Sequence, residues 1–144
     1  MKSIVAPIAV LGTVAVLADP VGGAGEWEFT GEAPDQQLTV LSGECTIDEA
    51  IDGCSQVYIL EGAKLTLNVD EPFISQPELH NFGTLELNGY SISVRRFDNT
   101  IESSAIRGKL PMVVNSSEEP VSLRVTGGAS SCYYTDPFAR TLAG

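Results

Sequence analysis

Thr84-Leu85-Glu86-Leu87-Asn88-Gly89 is the stretch that decides the fold, because its two leucines alternate with polar residues and the run ends in Asn-Gly. The same form, apolar-x-apolar-Asn, occurs at residues 65–68 and 112–115. Alternation with a period of two predicts strands, and strand-containing repeats spaced by about 20 to 30 residues are typical of a solenoid. An asparagine at the strand end suits a tight corner, because it tolerates the left-handed backbone conformation.

Stacking of the three repeats follows from this interpretation. Two inward-facing columns are predicted on parallel strands about 4.8 Å apart. The first column contains Leu65, Leu85 and Met112, and the second contains Leu67, Leu87 and Val114. The corner contains Asn68, Asn88 and Asn115.

The rest of the chain after Val57 also alternates with a period of two, and Gly, Pro, Asn and Ser separate the runs. No helical period returns after Gly53, so the predicted fold class is all-β. Three imperfect repeats also occur in other β folds, and the alternative to a solenoid is an antiparallel β-sandwich.

One short segment before the strands has a helical pattern. Thr46 and Glu49 have the spacing of a capping box, and Ile47, Ala50 and Ile51 fall on one helical face. Gly53 stands where a helix C-terminal cap belongs. The pattern predicts a small capping helix of about two turns over residues 46–52, packed on the first coil.

The segment 46–54, followed by Val57-Tyr58-Ile59 and Gly62-Ala63-Lys64-Leu65, resembles the opening of right-handed parallel β-helix proteins of the pectin-lyase type. Residues 85–92 are similar to a coil of that family written L-x-L-N-G-x-x-I. The resemblance covers residues 46–94 and implies a short right-handed parallel β-helix, corresponding to the N-terminal portion of the family fold. The catalytic motifs of the family enzymes, Asp-Asp and Arg-x-Pro-x-x-Arg, do not occur in this chain.

The first residues have the composition of a signal peptide. Lys2 precedes an uncharged apolar run at residues 4–18, which ends in Val16-Leu17-Ala18 before Asp19. The run is shorter than the ~20 residues that span a bilayer, so no membrane span is expected after cleavage. The predicted organisation is a signal peptide at 1–18, an extended acidic arm at 19–37 and a β-helix-like domain at 38–144, complete or truncated, in a secreted, extracellular protein.

The net charge of −11 on 144 residues limits the partners. A surface this acidic repels phosphate backbones and anionic lipids, so nucleic acid and membrane surfaces are not expected. The expected partners are carbohydrate, another protein, or a second copy through an open end of the β-helix.

Three cysteines, Cys45, Cys54 and Cys132, are present. In an oxidising compartment the close pair Cys45 and Cys54 is expected to form a disulfide, which leaves Cys132 free or joined to another chain. The spacing fits no zinc motif and His80 is the only histidine, so neither a metal site nor a cofactor is expected.

The candidate ligand-binding residues are Arg95 and Arg96, which could bind an acidic sugar carboxylate, and Tyr133 and Tyr134, which could stack on sugar rings. The alternative interpretation of the two arginines is a polar loop whose positive charge balances nearby acidic side chains. Asn115-Ser116-Ser117 is an N-glycosylation sequon. The carboxylates that could form a glycosidase-like pair are Glu61, Asp70 and Glu86, although no residue is assigned a catalytic role.

The functional hypothesis is a secreted, non-catalytic β-helix surface or matrix protein that contacts glycans or other proteins. The alternatives are the N-terminal part of a polysaccharide lyase or glycoside hydrolase, and a small β-sandwich interaction domain. An enzymatic role is left open, with polysaccharide breakdown as its expected chemistry.

Overall fold

The computed structural model describes residues 20–99 and 111–127 and the backbone of a strand at 131–132. All regular structure in these residues is β. The strands are β1 Val21–Gly23, β2 Glu26–Thr30, β3 Gln36–Ser42, β4 Glu44–Ile47, β5 Cys54–Ile59, β6 Lys64–Leu67, β7 Glu78–Asn81, β8 Thr84–Glu86, β9 Ile92–Val94, β10 Arg96–Asn99, β11 Met112–Val114, β12 Leu123–Val125 and β13 Ser131–Cys132.

These strands form a β-solenoid of about three turns. Sheet I has the order β1-β4-β6-β8-β11, sheet II the order β13-β10-β7-β5-β3-β2, and sheet III pairs β12 with β9. Pairing between coils is parallel throughout. Leu65 pairs in parallel with Leu85 across β6 and β8, which confirms the predicted contact between these two leucines and excludes the antiparallel sandwich.

The third member of that column is displaced by one residue. Leu85 pairs with Val113, while Met112 pairs with Thr84. Val113 is fully buried and Met112 is half-buried. Alternation marks the two faces of a strand but does not say which face is inside, and a shift of one residue exchanges them.

The solenoid interior is made of apolar columns, one for each sheet. In sheet II the residues Leu38, Val57, Leu79 and Phe97 lie in register on successive strands, and none of them is exposed. Removing each such side chain from water contributes roughly 1.5–3 kcal/mol to folding. These columns therefore hold the coils in register.

Two antiparallel strands, rather than a helix, cover the N-terminal end. β1 pairs with β4 in sheet I, and β2 pairs with β3 in sheet II. Both strands belong to the segment predicted as an extended arm. Trp27 on β2 is buried against the core and meets Phe29 edge to face at 5.4 Å.

The predicted helix at 46–52 is wrong. Thr46 and Ile47 are the end of β4, and Ile51 forms an isolated parallel bridge with Phe73 on the third side of the coil. Ile47 and Ile51 are both buried, so their spacing of four residues reflects two inward positions on either side of a corner. Gly53, with φ of +82°, turns the chain into β5.

Polar side chains form a ladder along the corner after sheet I, where asparagines were predicted. Asn68 Nδ2 donates to Asp48 Oδ1 (2.8 Å), and Asn88 Nδ2 donates to Asn68 Oδ1 (3.1 Å). Asn115 continues the ladder, because its Oδ1 accepts a hydrogen bond from the Gly89 amide at 2.9 Å. Asn88 has φ of +53°, the left-handed conformation expected at such a corner.

Candidate functional site

The outer face of sheet II carries polar side chains in two rows across the coils. One row contains Gln37, Gln56, Glu78 and Arg96, and the other contains Thr39, Tyr58, His80 and Asp98. These positions alternate with the buried columns, so the core fixes the direction in which they project. We call the group Tyr58, Glu78, His80, Arg95, Arg96 and Asp98 the sheet II cluster.

His80 occupies the centre of the sheet II cluster. Its Nδ1 lies 3.2 Å from Asp98 Oδ2, and its Nε2 lies 3.4 Å from Glu78 Oε1. The Tyr58 ring stacks on the imidazole with centroids 4.6 Å apart. Nε2 is buried and, in the part of the chain that the structure describes, has no hydrogen-bond partner, since its contact with Glu78 lacks hydrogen-bond geometry.

Two arginines neutralise the carboxylates of the cluster. Arg95 Nη2 lies 3.0 Å from Glu78 Oε2, and Arg96 Nε donates to Asp98 Oδ2 at 3.0 Å. The hydrogen bond and charge of Asp98 raise the pKa of Arg96 above its ordinary value. Both guanidinium groups remain about half exposed, so the charged groups are held in place and still face solvent.

The predicted ligand-binding residues therefore divide into two sets. The structure places Arg95 and Arg96 in one cluster, each in contact with a carboxylate. Tyr133 and Tyr134 lie outside the described residues, as does the predicted signal peptide.

Three residues of the cluster, Glu78, His80 and Asp98, were not among the site residues predicted from sequence. The signal that could have identified these three residues is the buried column of Val57, Leu79 and Phe97, because each of the three is next to Leu79 or Phe97 in the chain. The intervals of 22 and 18 residues along that column differ from those of the Leu-x-Leu-Asn repeats. A register across sheet II was therefore not evident.

Cys45 and Cys54 are free thiols in the structure, and the predicted disulfide is not formed. They stand on β4 of sheet I and β5 of sheet II. Cys45 Sγ donates to Glu26 O and Cys54 Sγ to Gln56 O. Burial raises the pKa of each thiol to about 11.

The carboxylate of Glu86, a candidate for a glycosidase-like pair, is enclosed by a turn of the chain. The side chain is 4% exposed and accepts hydrogen bonds from Asn88 N (2.9 Å), Ser116 N (2.7 Å) and Ser116 Oγ (2.5 Å). It thereby joins the end of sheet I to the turn after β11. Asp70 similarly accepts from the Ser91 amide, and Glu61 is half-buried.

The sequon residue Asn115 also bonds within this turn. Its Nδ2 donates to Glu119 O at 2.9 Å, in addition to the contact of its Oδ1 with Gly89. A glycan on Nδ2 would leave one amide hydrogen, which is enough for the bond to Glu119 O, so this bond does not oppose glycosylation. Glycosylation of Asn115 remains a prediction.

A groove of about 320 Å³ lies at the corner between sheets II and I. Its lining is Gly43, Glu44, Gly62, Ala63, Lys64, Gly83 and Thr84. Gly43 and Gly62 have φ of +71° and +85°, and a Cβ on Gly83 would lie 2.4 Å from carbonyl oxygens. The backbone therefore accounts for the small residues that create the groove.

Within residues 20–99 and 111–127, no three His, Cys, Asp or Glu side chains are placed to hold a metal ion. The same part of the chain contains no helix long and apolar enough to cross a membrane.

Comparisons with protein-family models, curated proteins and solved structures found no match. The solenoid architecture and the sheet II cluster are thus the basis for a functional proposal.

Proposed function

We propose that this chain is a secreted, non-catalytic β-solenoid protein that contacts glycans or other proteins through the outer face of sheet II. The observation that carries the proposal is the sheet II cluster, in which charges of both signs project from parallel strands and from the turn before β10. Binding residues on strands are placed more precisely than residues on loops. The face also contrasts with the acidic charge of the whole chain.

The pairing of the charges supports binding over catalysis. Glu78 and Asp98 each have an arginine partner at 3.0 Å, whereas a general acid has to hold a proton at the working pH. A guanidinium in contact with a carboxylate retains further N–H donors. Arg95 and Arg96 can therefore bind a ligand without releasing their present partners.

The ligand class follows from the side chains in the two rows. Gln37, Gln56 and Arg96 offer planar donors and acceptors of the kind that sugar hydroxyls or a polar protein surface can match. The Tyr58 ring is occupied by stacking on His80, so contacts to a glycan would come mainly from the polar groups. The pectin-lyase-type resemblance of residues 46–94 adds support for a glycan, and membership of that family is itself part of the proposal.

Binding to a panel of immobilised polysaccharides, for wild type and the variants Arg96→Gln and Arg124→Gln, tests this proposal. Arg124 is a matched control because its side chain is similarly exposed but stands on β12 beside Glu71. Arg96→Gln should lower the affinity roughly tenfold, since it removes a charge-assisted contact, and Arg124→Gln should leave it unchanged. Equal loss in both variants would locate binding elsewhere, and release of sugar fragments would overturn the non-catalytic assignment.

A further inference from the structure

His80 is the only histidine in the chain, and a carboxylate oxygen lies within 3.4 Å of each of its ring nitrogens. A neutral imidazole has one N–H donor, whereas an imidazolium has two. In the neutral state, therefore, one of these two carboxylates faces a nitrogen that has no hydrogen. The buried Nε2 has no hydrogen bond in the described part of the chain, and unsatisfied buried polar atoms are rare in folded proteins.

The second observation is that His80 and Arg96 share one acceptor. Asp98 Oδ2 lies 3.2 Å from His80 Nδ1 and 3.0 Å from Arg96 Nε. A proton on the imidazole strengthens its attraction to this oxygen and adds repulsion against the neighbouring guanidinium. Protonation of the ring thus competes directly with the arginine for Asp98.

The groups that face the ring in the described part of the chain come from three strands and one turn. Glu78 stands on the same strand, Asp98 and Arg96 on β10, Arg95 in the turn before β10, and Tyr58 on β5. Two carboxylates and two guanidinium groups sum to a charge of zero. A proton on His80 therefore changes this set from neutral to a net charge of +1.

We infer that His80 is a proton-controlled switch of the binding face. Its protonation moves Asp98 towards the imidazolium, releases the Arg96 guanidinium, and makes the sheet II cluster a cationic site for anionic groups such as sulfate or carboxylate. Histidine is the side chain that proteins commonly use as a pH-sensitive control. The inference rests on the proposed function, because it assigns a ligand charge and a control to the same face.

Nuclear magnetic resonance of the full chain tests the switch without any ligand. The Hε1 signal of His80 and the Nε–Hε signals of Arg95 and Arg96 are followed from pH 8 to pH 5. The Arg96 signal should shift with the same midpoint as the His80 signal, because the guanidinium loses its acceptor. An Arg96 signal that does not follow His80 would overturn the switch.

Binding to heparin, a sulfated polysaccharide used here as an anionic probe, tests its consequence. One additional charge close to the ligand should make wild type bind roughly fivefold more tightly at pH 5.5 than at pH 7.5. His80→Gln should lose this dependence, while Arg124→Gln should keep it. A wild-type affinity that does not change with pH would refute the ligand assignment.

The two proposals can fail separately. If the Arg96 signal follows His80 but Arg96→Gln binds the probe as well as wild type at pH 5.5, the proposed binding face is wrong and the proton-coupled rearrangement stands. If Arg96→Gln lowers binding equally at both pH values and the wild-type signals are uncoupled, the face is supported and the switch is overturned.

Discussion

Replacement of Glu86 by alanine is predicted to destabilise the solenoid, because it removes the carboxylate that joins sheet I to the turn after β11. Three donors bond to it, namely Asn88 N, Ser116 N and Ser116 Oγ. Hydrogen bonds to a charged group contribute about 1.5–3 kcal/mol each, which gives an upper bound of about 4.5–9 kcal/mol for the three. Ser116 is exposed, so its two donors regain water, and the expected loss is about 2–4 kcal/mol.

Glu86→Gln gives a finer version of the same experiment. The amide can accept through its oxygen but presents an NH2 group to donors where the carboxylate presented a second oxygen. The expected loss is about 1–2 kcal/mol, smaller than for alanine. The control is Glu118→Gln, because Glu118 is exposed in the same turn and its replacement should change the free energy of unfolding by less than about 0.5 kcal/mol.

Urea unfolding followed by circular dichroism measures these differences as shifts in the midpoint at constant slope. The structural role is supported if the urea midpoint is lowest for Glu86→Ala, intermediate for Glu86→Gln and highest for wild type. If Glu86→Ala unfolds at the same urea concentration as Glu118→Gln, the carboxylate does not hold the turn and the reasoning is refuted.

Two further predictions concern the chain's processing and its thiols. We predict that the chain is secreted and that N-terminal sequencing of the product reads from Asp19-Pro20, whereas a product that begins at Met1 would contradict the predicted signal peptide. Cys45 and Cys54 should resist a thiol reagent at pH 8 in the folded state, because burial raises their pKa to about 11 and the reactive thiolate is scarce three pH units below that value. Both should react once the protein is unfolded in urea without reductant, whereas thiols that stay blocked until a reductant is added would reveal the disulfide predicted from sequence.

The parallel stacking was predictable from a short repeat. Leu65 and Leu85 alternate with polar residues and precede asparagine at the same interval, so the register of β6 with β8 and the asparagine corner could both be derived. The helix could not be excluded from sequence, because two buried positions around a corner have the same spacing as two positions on one helical face. Ile47 and Ile51 illustrate this ambiguity, which only the pairing of Ile51 with Phe73 resolves.

Only the arginines of the candidate site were predictable, because contacts between coils cannot be derived from the pattern of a single strand. Arg95 and Arg96 stand out as adjacent cations, and Asp98 lies two residues after Arg96 on the same strand. The contacts of Arg95 with Glu78 and of His80 with Asp98 depend instead on the register of sheet II, whose coils differ in length. The burial of Glu86 was not predictable, because alternation describes only the two faces of one strand. The turn that buries its carboxylate is contributed by Ser116, which is 30 residues further along the chain.

The sheet II cluster is not required by the fold. The apolar columns and the corner ladder set the register of the coils, and the outward positions of β5, β7 and β10 need only to be compatible with water. The neutral residues Gln37 and Gln56 meet this requirement in the same row. Placing a histidine between two carboxylates, with a buried nitrogen left without a partner, opposes stability locally. Local inconsistencies of this kind in an otherwise consistent fold are expected at functional sites, and this one coincides with the chain's only histidine.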